Sequence, residues 1–446
     1  MTKLQQIWHR GKAVTAFVLI VMALMRLIWI QLRDYPPKIN PRNQIAIESV
    51  SLPSHAPCDL GQLKTKKHGA FSEGLVENQR SYLLAPLFAP MARESCRSGA
   101  FHFKTFVTLN QNILSISVFL AVIASRFLTG GWMMPLVISV VLLSRGRMIT
   151  GIGDISPDLL ITCFVSLYSL FMIHFIRTGW KKSLLLASLS GFLLGLSEPS
   201  LLVSCLFLPF IMFFWRLSFV GRIPRDLPPD GKLLQKYRLF SFWRRLRTNL
   251  GMHRFSEFYK GAEEETARPF SPLSMPFSYW ILFHKRWFLL GSLSLICGFA
   301  LTLTAAYMTG LFEAFASLNK ETGFLSLPRE TVFVWFKAFF SPIDLDLLCA
   351  ALLTLVGLLS PKDKCLPGYA NICAAFFGFL CVACLQSFSL DLLDILYLKV
   401  HSPTADWLEG FRAPRVLLWF EPTLMTLGVL GVLNIVNLFD AFLSKK

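Results

Sequence analysis

The chain has 446 residues, of which 54% are hydrophobic and only 16% are charged. A soluble chain of this length buries a core, but it does not need repeated apolar runs that are almost free of charge. Such runs indicate that a lipid bilayer is the solvent. The net charge of +17 would fit a nucleic-acid partner. The basic residues lie between the apolar runs, however, so we predict membrane lipids as partners and no nucleic acid.

Ten apolar runs predict an all-α integral membrane protein with about ten transmembrane helices. The first run, Ala13 to Ile30, is long and no small-x-small cleavage site follows it, which favours an uncleaved anchor. Two runs, 131–144 and 183–197, fall short of the ~20 residues of a straight crossing, so the number of spans depends on how these two are placed. The other runs are 106–127, 157–176, 199–215, 287–311, 344–360, 369–388 and 414–438.

Lysine and arginine in the short connecting segments predict that both termini are cytoplasmic, in a multi-pass protein of the inner (plasma) membrane. Three parts follow from this topology. Residues 1–215 form an N-terminal transmembrane module of six spans, with a long extracytoplasmic loop at 32–104. Residues 216–286 form a cytoplasmic loop that contains 14 Lys or Arg residues. Residues 287–446 form a C-terminal module with spans seven to ten.

Two of the ten cysteines, Cys58 and Cys96, share the first extracytoplasmic loop. An oxidising compartment permits a disulfide there, and the alternative is a pair of free thiols. Most of the other cysteines lie in apolar runs, where cysteine usually acts as a small hydrophobic residue.

The stretch "GLSEPSLL" at 195–202 places Glu198 and Pro199 inside a long apolar region. Proline breaks a helix, so the stretch predicts a hairpin tip on the outer side of the membrane. In one interpretation Ser197 caps the second helix and Glu198 lies near its dipole. In the other, Glu198 forms one wall of a polar cavity.

Several segments share a pattern with a known enzyme superfamily. They are "PLFAP" (86–90), "SRGRMITGIGDISPDLLITCFVSLYSLF" (144–171), "RTGWKKSLLLASLSGFLLGLSEPSLLVS" (177–204) and "FRAPRVLLWFEPTLMTLGVL" (411–430). With the long first outer loop, this pattern resembles the GT-C membrane glycosyltransferases, and within them the branch of the protein mannosyltransferases and the lipid A aminoarabinose transferase. The resemblance covers residues 80–215 best.

The resemblance implies an enzyme of the cell envelope that transfers a hexosyl or pentosyl group from a polyprenyl-phosphate donor to a lipid, glycan or protein acceptor. Such chemistry needs a carboxylate to accept the acceptor's proton and cations to hold the leaving phosphate. Asp34, just after the first span, is the first candidate base, followed by Glu48. Asp158 fits the acidic position before the fourth span, with Asp154 second. Candidates for binding substrate or phosphate are Arg145, Arg147, Asp154, Glu198, Arg412 and Arg415.

No cofactor is required by these motifs, and no metal-ligand spacing is present, although clustered carboxylates are compatible with Mg or Mn. Two features depart from the resemblance: Glu198 stands where lysine is usual, and no Asp-Glu pair follows the first span. Two alternatives therefore stay open. One is a transporter or flippase, and the other is a non-catalytic subunit of a membrane assembly.

Overall fold

A computed structural model of the chain describes residues 3–39, 43, 47, 86–96, 100–129, 131–178, 181–202, 345–359, 369–397 and 411–443, with a few positions between 296 and 312. These residues are mostly helical and form no β-strand, although Lys38 and Asp154 make an isolated parallel bridge. The helices with continuous bounds are α1 (Lys3–Leu32), α2 (Phe88–Ser95), α3 (Phe103–Thr129), α4 (Met133–Ser144), α5 (Gly146–Thr150), α6 (Asp158–Thr178), α7 (Lys181–Ser197), α8 (Leu345–Leu359), α9 (Tyr369–Tyr397) and α10 (Arg412–Leu443).

Four stretches of these helices are long and apolar enough to cross a membrane: Ala13–Leu32, Phe103–Thr129, Asp158–Phe175 and Arg415–Val432. A fifth crossing is obtained if α4 and the bent segment Gly146–Gly153 count as one span. The prediction of a helical, membrane-embedded protein is therefore confirmed. The full set of ten spans stays a prediction, because runs 199–215 and 287–311 lie largely outside the described residues.

Helices α3, α6 and α10 form the centre of the bundle, and α4, α7, α8 and α9 pack around them. Aromatic rings join three of the helices. The ring of Phe379 in α9 lies 5.4 Å from that of Tyr168 in α6 and 4.8 Å from that of Phe420 in α10. Offset and edge-to-face ring pairs of this kind are favourable beyond the area that they bury.

Small residues let α8 and α10 approach closely. A Cβ atom at Gly428 would lie 2.8 Å from both the Cα and the Cβ of Ala350, so this crossing has no room for a side chain. In lipid, where no hydrophobic force drives helices together, close backbone packing of this kind is a main source of association.

Helix α1 lies at the edge of the bundle, where it contacts α4 and α3. Only 6% of its apolar stretch is buried by the rest of the chain. Large apolar side chains also point outward from other helices, for example Phe119 in α3, Leu185 in α7 and Leu385 in α9. Exposed apolar faces on several helices at once are expected of a surface that lipid covers.

The chain between α4 and α6 changes direction sharply. The axis of the segment Gly146–Gly153 is bent by 54° from that of α4, and α5 is followed by a 3₁₀ turn at Gly151–Gly153. Helix α4 has only 12 residues, so it ends before a full crossing of about 20 residues is complete. Arg145, which links α4 to α5, consequently lies deep in the bundle and is buried.

Candidate functional site

One end of the bundle gathers charged side chains from helices that are far apart in sequence. The ends of α7 and α9 meet the beginnings of α6 and α10 there, beside the chain that follows α1. We call this region the polar end and define it by Asp154, Asp158, Glu198, Asp391, Arg412 and Arg415.

Arg412, the first residue of α10, is a buried cation of the polar end and is only 1% exposed. Its Nε donates to Oε1 of Glu198 at 2.7 Å, and its backbone N–H donates to Oδ1 of Asp391, also at 2.7 Å. Glu198 and Asp391 are themselves almost fully buried. Buried charges are tolerated when they are paired and hydrogen-bonded, so this cluster joins α7, α9 and α10.

Glu198 also organises its own turn. Its Oε1 accepts the backbone N–H of Ser200 at 3.2 Å, at the start of the 3₁₀ turn Pro199–Leu201. The hydroxyl of Ser197 donates back to the carbonyl of Leu193 in α7. At this turn Glu198 takes the capping role that the sequence assigned to Ser197. The rest of the second predicted helix lies outside the described residues.

Asp158, the first residue of α6, forms the second cluster. Arg415 makes an ion pair with its Oδ2, and Ser156 donates to the same oxygen at 2.8 Å. Trp419 donates its indole N–H to Oδ1 at 2.8 Å. Both carboxylate oxygens are thus occupied by donors from α10 and from the turn before α6. The Arg415 side chain keeps 18% exposure, so it borders the accessible surface.

Asp154 lies beside this second cluster, just before α6. Burial raises the pKa of its carboxyl above the ordinary value, and the positive charges of Arg415 and Lys38 oppose that rise. A carboxyl that is desolvated yet close to cations is a typical feature of functional sites, although structural ion pairs can show it as well.

The chain that follows α1 is held against the Asp154 loop. The backbone amide of Lys38 donates to the carbonyl oxygen of Gly153 at 3.0 Å. The backbone amide of Ile155 donates to the carbonyl oxygen of Lys38 at 2.7 Å. Asn110 in α3 donates from its side chain to the carbonyl of Ile152 at 3.0 Å. Tyr35, which is buried, donates to the carbonyl of Ile30 at the end of α1. The segment that follows α1 and helix α3 therefore both hold the loop that contains Asp154.

A third cluster lies deeper in the bundle. Arg145 donates through Nε to Oε1 of Glu421 at 2.5 Å and through Nη1 to Oδ2 of Asp346 at 2.7 Å. Glu421 is nine residues beyond Arg412 in α10, which corresponds to roughly 13 Å along a helix. Glu421 is fully buried, whereas the Asp346 side chain is 71% exposed.

Arg145 and Asp346 form the polar rim of a groove between α4, α8 and α10. The groove has a volume of about 530 Å³ and its remaining walls are mostly apolar, with Val140, Leu353, Met425 and Val432 among them. An apolar groove with a few polar groups at one edge is the common form of a small-molecule or lipid site.

The other predicted residues are distributed as follows. Asp34 is exposed and forms no ion pair with a described residue, and Arg147 is half-buried in α5. Glu48 and Cys58 lie outside the described residues. Cys96 is buried and disulfide-bonded, and its partner also lies outside them. No group of three or more His, Cys, Asp or Glu side chains suited to a metal ion occurs in the described part of the chain.

Sequence reasoning missed Glu421, Asp346, Trp419 and Lys38 as members of these clusters. The available signal was a charge inside an apolar run, because ionisable residues within a span are rare and are usually paired. Glu421 lies within the run 414–438 and Asp346 within the run 344–360. The predicted run 369–388 ends before Asp391, whereas α9 continues to Tyr397 and Asp391 is fully buried.

The fold and the clusters together define a helical membrane-embedded protein with a charged site at one end of its bundle. No family model, curated protein or solved structure matches the chain.

Proposed function

We propose that the protein is a membrane glycosyltransferase that moves a sugar from a polyprenyl-phosphate donor to an acceptor hydroxyl at the polar end. The main support is the position of Asp154, a carboxyl with a raised pKa that lies beside the cations Arg415 and Lys38. Inverting sugar transfer needs a base for the acceptor proton and positive charge for the departing phosphate. Both kinds of group occur there within one small region.

In this proposal Asp154 is the base. A base is most effective when its pKa approaches the working pH, and burial moves Asp154 in that direction. Asp158 is less suited to the role, because Arg415, Ser156 and Trp419 already occupy its two oxygens. Asp158 then positions Arg415. Asp34, the first candidate from the sequence, remains a second base candidate because it lies four residues before Lys38.

The exposed cations are the better phosphate ligands. Arg415 keeps part of its side chain accessible, and Lys38 is exposed. Arg412 is buried against Glu198 and Asp391, so we assign it a structural role. Arg145 is likewise held by Glu421 and Asp346. The groove beside Arg145 has mostly apolar walls, and in this proposal it holds the apolar chain of a lipid-linked donor.

We also propose that the polar end faces the extracytoplasmic side of the inner membrane. The disulfide of Cys96 supports this orientation, because disulfides persist in oxidising compartments and are rare in the cytosol. The excess of Lys and Arg in residues 216–286 agrees with a cytoplasmic position for that segment.

The test uses the full chain in liposomes with radiolabelled sugars on polyprenyl-phosphate lipids, scored for transfer to added lipid, glycan and peptide acceptors. We expect wild-type protein to transfer label and Asp154→Asn to lose about 10²–10⁴-fold in turnover, with donor binding largely kept. Glu94→Gln is the control, because this exposed carboxylate of α2 belongs neither to the polar end nor to the groove beside Arg145. Full activity in Asp154→Asn, Asp34→Asn and Asp158→Asn together would refute the carboxylate mechanism.

One observation favours a second candidate, a non-catalytic subunit of a membrane assembly. Arg145, Arg412 and Arg415 all contact carboxylates of the same chain, as they would in a purely structural network. On this alternative no lipid-linked sugar would yield product. The chain would instead copurify, in a fixed ratio, with another membrane protein.

A further inference from the structure

Helix α1 has one charged residue in its apolar stretch. Arg26 is the only Asp, Glu, Lys or Arg between Ala13 and Leu32, and it is exposed on the outside of the bundle. Its neighbours Met22 and Met25 are exposed apolar side chains, with 49% and 63% of their surface accessible. A lone guanidinium on a surface that lipid covers is costly unless it reaches water or meets an anion.

The side chain of Arg26 points towards the C-terminal end of α1. Its guanidinium lies 5.6 Å from the ring centre of Trp29, one turn further along the helix. Side chains in a helix start out tilted towards the N-terminus, so this course runs against the default direction. Arg26 lies six residues before the end of α1, a distance of roughly 9 Å along the helix axis. A side chain that extends towards this end brings its charge closer to the nearer membrane interface.

A second cation meets the same ring. Arg33, the first residue after α1, places its guanidinium 4.8 Å from the ring centre of Trp29. Cation–π contacts hold both arginines, but the indole carries no negative charge to offset them. Neither guanidinium forms a salt bridge with a described carboxylate. Two like charges at one tryptophan therefore create a site for an anion at the depth where a bilayer has its headgroups.

We propose that Arg26, Trp29 and Arg33 bind the phosphate of an anionic phospholipid. Arginine matches phosphate oxygens with two parallel N–H donors, and tryptophan is favoured at the interface. The exposed side chains of Met22 and Met25 lie on the same side of α1, further from its C-terminal end, and provide an apolar surface for an acyl chain. A phospholipid has both a phosphate for the arginines and an acyl chain for the apolar side chains, so we assign the site to a lipid. The site uses none of the residues that define the polar end and does not depend on the proposed sugar transfer.

The probe is the purified full chain in nanodiscs of equimolar phosphatidylcholine and phosphatidylglycerol, released into native mass spectrometry to count retained lipids. We expect wild-type protein to retain phosphatidylglycerol in preference to phosphatidylcholine. Arg26→Gln and Arg33→Gln should each weaken that preference about fivefold, the factor that corresponds to about 1 kcal/mol for one basic residue near a charged membrane surface. Arg26→Lys should restore part of the preference, because it keeps the charge but loses the paired donors.

The chain offers a matched control. Arg126 at the end of α3 lies 5.1 Å from the ring centre of Trp132, so it forms a similar contact with a single arginine. Arg126→Gln should leave the lipid preference of the α1 site unchanged. An equal loss in Arg126→Gln, or no loss in Arg26→Gln and Arg33→Gln, would overturn the proposal. Displacement of the retained lipid by millimolar inorganic phosphate would show a free-anion site and would also overturn it.

Discussion

Arg412 and Arg145 differ from ordinary surface arginines because each is buried and each contacts two carboxylates. Burying a guanidinium is expensive, so the buried carboxylates Glu198, Asp391 and Glu421 stabilise the fold whether or not the site also has a catalytic role. The two clusters differ in their surroundings. Glu198 and Asp391 are buried with Arg412, whereas Asp346 reaches the surface beside Arg145.

We predict that Arg412→Met destabilises the protein by about 3–5 kcal/mol, because it leaves two buried carboxylates without their cation. Glu198→Gln should cost less, since Asp391 still contacts Arg412. Unfolding in mixed detergent micelles measures both effects, and the double mutant gives the coupling energy. Asp346→Asn is the control and should change stability by less than about 1 kcal/mol, because its side chain is 71% exposed. Additive effects of Arg412→Met and Glu198→Gln would contradict the pairing.

Asp154 should make stability depend on pH in a defined direction. Its pKa is raised in the folded protein, so the folded state binds its proton more tightly than the unfolded state. Stability should therefore fall as pH rises from the pKa of a free aspartate, about 3.9, through the raised value, and stay level above it. Melting curves of wild type and Asp154→Asn across this range measure the difference. If the stability difference between wild type and Asp154→Asn is the same at every pH, the pKa of Asp154 is not raised in the folded protein.

At the scale of elements, the site depends on how helices end. Helix α4 ends after 12 residues and delivers Arg145 to the bundle interior, while α6 and α10 begin with Asp158 and Arg412. The connecting chains are tied down by backbone hydrogen bonds, above all between Lys38 and the segment Gly153–Ile155. Buried connections need such bonds, because an unpaired amide or carbonyl away from water is costly.

Gly153 is required where the two connecting chains meet. A Cβ at this position would overlap the carbonyl oxygen of Pro36, which is backbone and has little freedom to move. We predict that Gly153→Ala costs about 1–3 kcal/mol and exposes the amides of Lys38 and Ile155 to faster hydrogen exchange. Gly151→Ala is the matched control, because nothing lies within 4 Å of its Cβ position. If hydrogen exchange at the amides of Lys38 and Ile155 is unchanged in Gly153→Ala, the segment after α1 is not packed against the loop before α6.

At the scale of the whole molecule, the polar end brings together residues from four distant stretches of the sequence. Asp154 and Glu198 come from the first half of the chain, and Asp391 and Arg412 come from its last 60 residues. Helix α10 is the element common to all three clusters, since Arg412, Arg415 and Glu421 lie on it. Removal of α10 would therefore deprive Glu198, Asp158 and Arg145 of the ion-pair partner that each has in this helix.

The first outer loop should contain the disulfide Cys58–Cys96. Cys96 is disulfide-bonded, and mass spectrometry of an unreduced digest should identify the Cys58 peptide as its partner. Cys58→Ser should lower stability by about 3–4 kcal/mol, the value that the chain-entropy model gives for a loop of about 39 residues. Cys381→Ser is the control, because Cys381 is free and exposed. Recovery of Cys58 as an alkylated free thiol would disprove the pairing.

Hydrophobic patterning was enough to predict a helical membrane protein, because a run of about 20 apolar residues has few stable conformations other than a helix in lipid. The pattern placed α3, α6 and α10 within five residues of their observed bounds, whereas α1 begins ten residues before its predicted run. It also singled out Glu198, Arg412 and Asp158, because charges next to apolar runs are conspicuous. Patterning could not pair them: an ion pair such as Glu198–Arg412 joins residues 214 positions apart, and only the packing of α7 against its neighbours decides which charges meet. The same holds for Asp154, whose raised pKa arises from burial by other parts of the chain.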